Sequence, residues 1–508
     1  MIVTIHQPNY FPYPGFFQKV LLSDIYVILV GRNSSFILQT GRIQQNNIIT
    51  RSNKKWMILL SNILFFLIDG LRSDVCFDEK KTCSTPNLDS LKKNGVCFTQ
   101  AFSSADGTFT SLNSLFSGHF PFRTGVRARK ILLKKNNFIE IFAKEGYQIN
   151  GLVPNLASFH PLINYFKNND NTFKTDPPVE SLSTGLTNKI IDFLKSKASK
   201  TPWLYYIHLF DLHPIKEKNI LPGIEDFNSK KFGSSLYERA VSYVDHELGK
   251  IFEHVDFDNT ILILTSDHGE RIPYGDISGV DLEPKLESTV KFGKKLLPKS
   301  THKTGGQFLS KIRGSIGKQK LNKSNEDLNN FQKRSRDTYF TLSLFDEMLR
   351  IPLFFVNNSI NSRVIPNLIR NVDIFPTLCE LVKINFDQQI HGRSLVPIIQ
   401  GNKFEEKPVY LHTMPYEKPH PTDSVGIRTS NYKYFRSSHN PKENVNLYDL
   451  KNDPFENNNI AEINGELVTQ FERILMQIQG DNFSQDEDEE NPEELKKIEF
   501  ELKKMGYM

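Results

Sequence analysis

Cysteine is scarce in this chain, and the few present exclude two ways of stabilising a fold. The four cysteines, Cys76, Cys83, Cys97 and Cys379, include no C-x-x-C pair. Neither a disulfide framework nor a structural zinc site is indicated, and a reducing compartment is expected. A strong charge of one sign is also missing. The formal net charge is +5 over 508 residues, which gives no argument for nucleic acid and remains compatible with anionic small substrates. No apolar run is long enough to span a bilayer: the longest, Trp56 to Ile68, contains Ser61 and Asn62 and falls short of the roughly 20 residues needed. The opening MIVTIHQPNYFPYPGFF puts His, Pro and Asn where an export signal needs a basic start and an unbroken apolar core. These absences lead to the expectation of a soluble cytoplasmic protein, with a membrane-surface substrate still compatible and no oligomeric state assigned.

What is present suffices for a sizeable core, with 38% hydrophobic and 11% aromatic residues, and the length calls for more than one folding unit. Three regions are expected. Residues 1–56 form an appendage, ending in the polar patch Gly41–Asn47 (GRIQQNN). Residues 57–405 carry apolar runs separated by helical stretches, which predicts an α/β unit with a largely parallel sheet covered on both faces. Strands are placed at about 62–68, 148–153, 203–210, 260–265 and 350–356, and helices at about 86–94, 136–145, 184–198 and 234–254. Residues 406–508 form a smaller α+β subdomain, followed by the acidic run Asp486–Glu490 and a charged helix opened by Pro492.

Three of the strands end at an acid, Asp69, Asp211 and Asp267. In open parallel sheets ligands sit beyond the carboxyl ends of the strands, so these acids can converge on one crevice; each can equally cap a following helix or turn. Between the first two lies Gly107–Val126, GTFTSLNSLFSGHFPFRTGV, with Thr108, Thr110 and Ser111 at the mouth of a short helix. A hydroxyl there becomes a useful nucleophile only if its pKa is lowered, and carboxylates beside the imidazole of His268 suggest a metal. After Glu270 a basic insertion, 271–338, has about fourteen Lys/Arg against about four acids from Lys285 onward. It reads either as a solvated loop or as an electropositive lid over the site.

The motifs also carry a family resemblance. Asn62–Asp74 (NILFFLIDGLRSD), Thr85–Leu91 (TPNLDSL), Gly95–Thr99 (GVCFT), Asp211–Pro214 (DLHP), Ser266–Glu270 (SDHGE), Asp346–Leu353 (DEMLRIPL), Val372–Thr377 (VDIFPT), His391–Leu395 (HGRSL) and Tyr448–Pro454 (YDLKNDP) occur in one order. Together they resemble the sulfatase branch of the alkaline-phosphatase superfamily over about 57–460. The opening Ile5–Phe17 (IHQPNYFPYPGFF) resembles the start of the WbqC-like family associated with surface-polysaccharide gene clusters, and His6 is left unassigned. The resemblance implies the superfamily's α/β sandwich and metal-assisted attack on a phosphate or sulfate ester, small or glycan-linked.

One departure changes the implied chemistry. Sulfatases of the main type convert a Cys or Ser in C-x-P-x-R to formylglycine, whereas here the three defining positions hold Thr108, Thr110 and Leu112. Thr at this place is the nucleophile of the superfamily's phosphodiesterases and phosphoglycerol or phosphoethanolamine transferases, often with Asp-Gly, as in Asp69-Gly70. The implied site has Thr108 as nucleophile, with Thr110 and Ser111 as neighbours that orient the anion. Asp69, Asp267 and His268 would hold a divalent ion, Mg, Mn, Ca or Zn. His213 would protonate the leaving group, contact the ester or bind a second metal. Arg72, Asn113, Asp211 and His302 would contact substrate, although an Arg72–Asp74 salt bridge and a helix-surface role for Asn113 fit equally. The family's His just before Asp346 is replaced by Leu342. Leading is a hydrolase or phosphotransferase acting through a covalent Thr108 intermediate. The rivals are a sulfatase using Thr108 directly and a non-catalytic binder of anionic glycan.

Overall fold

A computed structural model describes residues 61–480 apart from 80, 125–129, 134, 177–178, 197–201, 214–222, 272–328, 337–343 and 414–422, together with Phe500; of 3–5, 27–32, 35–40 and 335–336 it describes only the backbone. His6, His302, Leu342, most of the basic insertion and the acidic run 486–490 lie outside the described residues. Near the N-terminus β1 (Val3–Ile5), β2 (Val27–Arg32) and β3 (Ser35–Thr40) make an antiparallel sheet of order β1-β3-β2.

The apolar run Asn62–Ile68 forms β4, whose Ile63 to Ile68 are all fully buried. Each such side chain contributes roughly 1.5–3 kcal/mol relative to exposure. It lies inside an eight-stranded sheet with β5 (Val96–Phe102), β6 (Gln148–Pro154), β7 (Thr172–Phe173), β8 (Trp203–Leu209), β9 (Thr260–Thr265), β10 (Arg350–Val356) and β11 (Arg363–Arg370), in the order β11-β5-β10-β9-β4-β8-β6-β7. Pairing is parallel except at β10, which runs antiparallel to β5 and β9. The five expected strands and the largely parallel sheet are present. β5, β7 and β11 were not foreseen. β11 carries Pro366 inside a register shift between Ile365 and Leu368, a break that only an edge strand tolerates.

Helices follow the same local logic. Helix α1 (Pro86–Asn94) begins with Pro, and its first N–H groups, on Asn87 and Leu88, donate to the Asp245 carboxylate at 3.1 and 2.8 Å. Helix α2 (Thr108–Ser117) runs from Gly107 to Gly118, which adopts φ +69° against Ile390 where any side chain would clash. Helix α3 (Phe138–Lys144) and helix α4 (Thr187–Ser196), the latter preceded by a π-helical turn Leu182–Leu186, flank the sheet. Helix α5 (Leu236–Phe252) is opened by a Ser235/Glu238 capping box. Among the described residues no helix is long and apolar enough to cross a membrane.

A second antiparallel sheet, β12 (Val409–His412), β13 (Ser424–Arg428), β14 (Tyr432–Ser437) and β15 (Asn446–Asp449), is covered by helix α6 (Gly465–Gln479). It meets the main unit through an apolar cluster shared by Phe102, Leu349 and Leu368 with Val409, Leu411 and Phe435, and through buried ion pairs. Lys433 on β14 is fully buried, pairs with Asp346 and reaches Glu456 Oε1 at 2.6 Å, while Arg428 holds Asp346 at 3.0 Å. Met348, two residues on from Asp346, receives the Gly269 N–H on its carbonyl at 2.7 Å, linking this lock to the loop after β9.

Two predictions arise from buried charge. Lys433→Met leaves buried Glu456 without its cation, while Asp346 keeps Arg428, and should destabilise the fold by about 3–5 kcal/mol, measured as a lower midpoint in urea or heat. Asp211 is the second case. Its Oδ1 accepts from Leu182 N–H at 2.9 Å and Tyr243 O–H at 3.4 Å, so it caps the π-helical turn. Burial pushes its pKa up to about 7, above an unfolded value of about 3.9. Its stabilising share is therefore present below about pH 4 and lost as pH rises through about 7. Asp211→Asn, which keeps the acceptor oxygen, should flatten the stability profile between those limits.

Candidate active site

The carboxyl ends of β4, β5, β8 and β9 lie at one edge of the main sheet and deliver the candidate residues from four connections. β4 ends in Asp69, and Gly70 turns the chain at φ +69°, bringing its own N–H to Asp267 Oδ1 at 3.2 Å. β9 ends in Ser266-Asp267-His268. The Ser266 hydroxyl lies 2.7 Å from the Ile68 carbonyl and accepts from Leu71 N–H at 3.0 Å, tying the two acid-bearing loops together. The loop after β5 leads into α2, so Thr108 stands at the first helical position, and no side chain caps that helix start.

These loops bring Thr108, Asp69, Asp267 and His268 together, all buried. Thr108 Oγ1 is 3.2 Å from Asp69 Oδ2 and 3.2 Å from His268 Nε2. Ligand atoms of Asp69, Asp267 and His268 all lie within 4.8 Å of one another. His268 Nδ1 is 2.7 Å from the Gly269 carbonyl, which can only accept; the ring proton therefore sits on Nδ1, and Nε2 faces the acids. Asp267 Oδ1 accepts from Gly70 N–H and, at 2.9 Å, from His268 N–H, whereas Asp267 Oδ2, 3.4 Å from His268 Nε2, has no hydrogen-bond partner among the described residues.

Charge in this pocket is unevenly shared. Burial raises the pKa of Asp69, but the imidazoles of His208, His268 and His213 outweigh it and hold the carboxyl well below the usual range. Burial, and then the charge on Asp69, push Asp267 up. Burial disfavours a charged His268, yet Asp267 and Asp69 prevail and its pKa is raised. A buried carboxylate oxygen without a donor, beside a second acid that draws a proton onto the imidazole, is the environment a divalent cation satisfies. Two hard carboxylates and one imidazole fit Mg, Mn, Ca or Zn.

The remaining candidates, His213 apart, are engaged elsewhere. His213 is buried, stacks on Phe210 with ring centres 5.0 Å apart, and acts electrostatically on Asp69. Arg72 forms a two-pronged pair with Asp74 (2.9 and 2.5 Å) and donates to the Glu270 carbonyl at 3.1 Å. Asn113 clamps the segment 130–132, accepting from Leu132 N–H at 2.7 Å and donating to the Lys130 carbonyl at 3.2 Å. Asp211 serves the cap described above. Ser111 Oγ is 2.7 Å from the Asp267 carbonyl and takes Ser103 Oγ and Asn371 Nδ2 at 2.9 and 3.2 Å, while the buried Thr110 hydroxyl has no partner among the described residues. Leu112 is fully buried in the core. Sequence reasoning passed over Ser266, Asn371 and His208; the last was signalled only by one imidazole inside the apolar run WLYYIHL of β8. A surface cavity of about 980 Å³ lined by Glu380, Lys383, Phe386 and Arg393 contains none of these residues; its Gly392 meets Gly118 at the far end of α2.

Comparisons with known proteins identify the family and the fold. The Sulfatase family model matches residues 61–384, the N-sulphoglucosamine sulphohydrolase C-terminal model 337–481, and the WbqC-like protein family model 7–61. An ulvan-active sulfatase of Formosa agariphila is 23% identical over 490 residues, covering 84% of this chain and 81% of that protein. A delta 4,5-hexuronate-2-O-sulfatase of Bacteroides thetaiotaomicron is 30% identical over 126 residues, but only 24% of this chain and 26% of that protein are covered. The fold is shared with the phosphonate monoester hydrolase of Agrobacterium radiobacter (TM-score 0.57, 15% identity, 82% of this chain and 95% of that one). It is shared equally with a putative sulfatase from Bacteroides thetaiotaomicron (TM-score 0.57, 18% identity, 86% and 96%). The family is generally metal-dependent. By the extent of the first match, the chain belongs to the sulfatase family of ester hydrolases, within the alkaline-phosphatase superfamily.

Proposed function

We propose that this chain is a metal-dependent hydrolase or phosphotransferase of phosphate or phosphonate esters in which Thr108 forms the covalent intermediate. The observation that carries the reading is the Thr108 hydroxyl lying 3.2 Å from both Asp69 Oδ2 and His268 Nε2. Asp69, Asp267 and His268 would hold the divalent ion, which when bound lowers the pKa of the Thr108 hydroxyl and offsets charge on the ester. Thr108 Oγ1 gives its proton to Asp69 Oδ2 and forms a bond to phosphorus as the bond to the leaving oxygen breaks. The leaving oxygen takes a proton from His213. The uncapped N–H groups at the start of α2 face the anion, as helix N-termini favour. Water or an acceptor hydroxyl, losing its proton to His213, then attacks phosphorus, and the bond to Thr108 breaks as Oγ1 takes back the proton from Asp69 Oδ2.

Phosphorus is preferred because a threonyl ester has no second hydroxyl on the same carbon with which to expel the bound anion. Resolution therefore requires a second displacement at the central atom. Sulfuric ester hydrolysis by Thr108 is the rival, favoured by the sulfatase relatives. The names of those relatives and the WbqC-like match support a glycan-linked ester as the substrate class.

Purified protein with added Mn, Mg, Ca or Zn should turn over aryl phosphate, bis-aryl phosphate or aryl phosphonate faster than aryl sulfate. Thr108→Ala should lose at least about 10³-fold in kcat while binding the metal as before. Acid quenching during turnover should leave a phosphorylated peptide containing Thr108, detected by mass spectrometry. Turnover of sulfate alone moves the assignment to the rival, and activity surviving in Thr108→Ala removes the nucleophile.

A further inference from the structure

His208 sits next to the site without having entered it. It is fully buried on β8, held between the rings of Phe159 and Phe210 at 5.0 and 5.3 Å. Its Nε2 has no hydrogen-bond partner among the described residues, yet lies 3.5 Å from Asp69 Oδ2. Its Nδ1 is 3.1 Å from the hydroxyl of Tyr206, whose side chain projects from the same face of the strand. Tyr206 is fully buried as well and packs on Phe65 and, through α2, on Phe116.

The two neighbours of the ring decide its tautomer. A buried phenol needs an acceptor for its proton, and Nδ1 of His208 is the one within reach. Accepting at Nδ1 places the ring proton on Nε2, pointing at Asp69 Oδ2. The opposite tautomer would leave the phenol proton unused and set a nitrogen lone pair against a carboxylate oxygen. Oδ2 thereby faces two donors, His208 Nε2 and Thr108 Oγ1, while Oδ1 is 4.0 Å from His268 Nε2, on the side of the other proposed ligands.

We propose that His208, its tautomer set by Tyr206, is a positioning residue that orients the Asp69 carboxylate, presenting Oδ1 to the Asp267–His268 side and Oδ2 to Thr108. The inference rests on the metal-centre reading above. Such outer partners of a ligating carboxylate typically matter by about 10–100-fold in metal affinity or activity.

The test titrates Mn²⁺ into the chelator-stripped full chain and follows free Mn²⁺ by electron paramagnetic resonance. His208→Leu should weaken binding about 10–100-fold. His208→Gln, whose amide N–H2 reaches the place of Nε2, should recover most of it, with the metal-free thermal midpoint of the two variants alike. Tyr206→Phe should weaken binding by a smaller factor. His208→Leu binding as tightly as wild type overturns the proposal, as does His208→Gln no better than His208→Leu, which would assign the imidazole itself as a ligand. If the His208→Leu substitution unfolds the chain, unweakened binding in Tyr206→Phe overturns it. Wild type that takes up no Mn²⁺ sinks the metal-centre reading and this inference together; wild-type uptake with unaffected variants sinks this inference alone.

Discussion

Two carboxylates, Asp69 and Asp267, are buried around a single threonine hydroxyl, and much of the surrounding structure relieves their repulsion. Like charges about 4 Å apart repel by about 4 kcal/mol at an effective dielectric near 20, and burial removes the water that would otherwise solvate them. The fold offers two backbone N–H groups to Asp267 Oδ1, from Gly70 and His268, and the Thr108 hydroxyl to Asp69 Oδ2. It places the imidazoles of His208, His268 and His213 close enough to lower the pKa of Asp69. What it leaves unmet is Asp267 Oδ2, and that residual demand for positive charge is the physical basis of a cation site.

Such a pocket works only if its parts are fixed relative to one another, and hydroxyl and amide ties do this. Ser266 joins the loops after β4 and β9. Ser111, one helical turn beyond Thr108, lies against the Asp267 carbonyl and is itself held by Ser103 and Asn371. The start of α2 is thus referenced to the strand end that carries Asp267. The loop after β9 is in turn linked through Gly269 and Met348 to the buried Asp346–Lys433–Glu456 lock. The smaller sheet is thus joined by polar contacts to the loop that carries Asp267 and His268.

Much of this was legible in the sequence, because a sheet buried on both faces writes itself as unbroken apolar runs. β4, β6, β8, β9 and β10 stood out on that ground, as did the acids that end β4, β8 and β9. β5 did not, since Thr99 and Gln100 interrupt it, and β11 did not, since Pro366 breaks its register. Convergence of Asp69 and Asp267 was expected because ligands sit beyond the carboxyl ends of parallel strands, but the same argument admitted Asp211, which instead caps a helical turn. The difference lies in where each side chain points after its strand ends, and that depends on Leu182 and Tyr243 from distant segments. His208 was hidden for the converse reason: inside an apolar strand it reads as core, and only the approach of Asp69 from the neighbouring strand gives it a chemical role.

Among the described residues, two positions where an arginine was expected bear on the electrostatics of the site. Where the formylglycine motif has Arg, Leu112 is packed in the core, and the nearby Arg72 is engaged by Asp74 and the Glu270 carbonyl. An incoming anionic ester therefore meets two carboxylates with neither of these guanidiniums turned to receive it. The uncapped start of α2 offers only partial positive charge, too little to offset two acids and a dianion together. On the proposed reading, binding of the ester and activation of Thr108 would therefore both draw on the divalent charge that Asp69, Asp267 and His268 would hold.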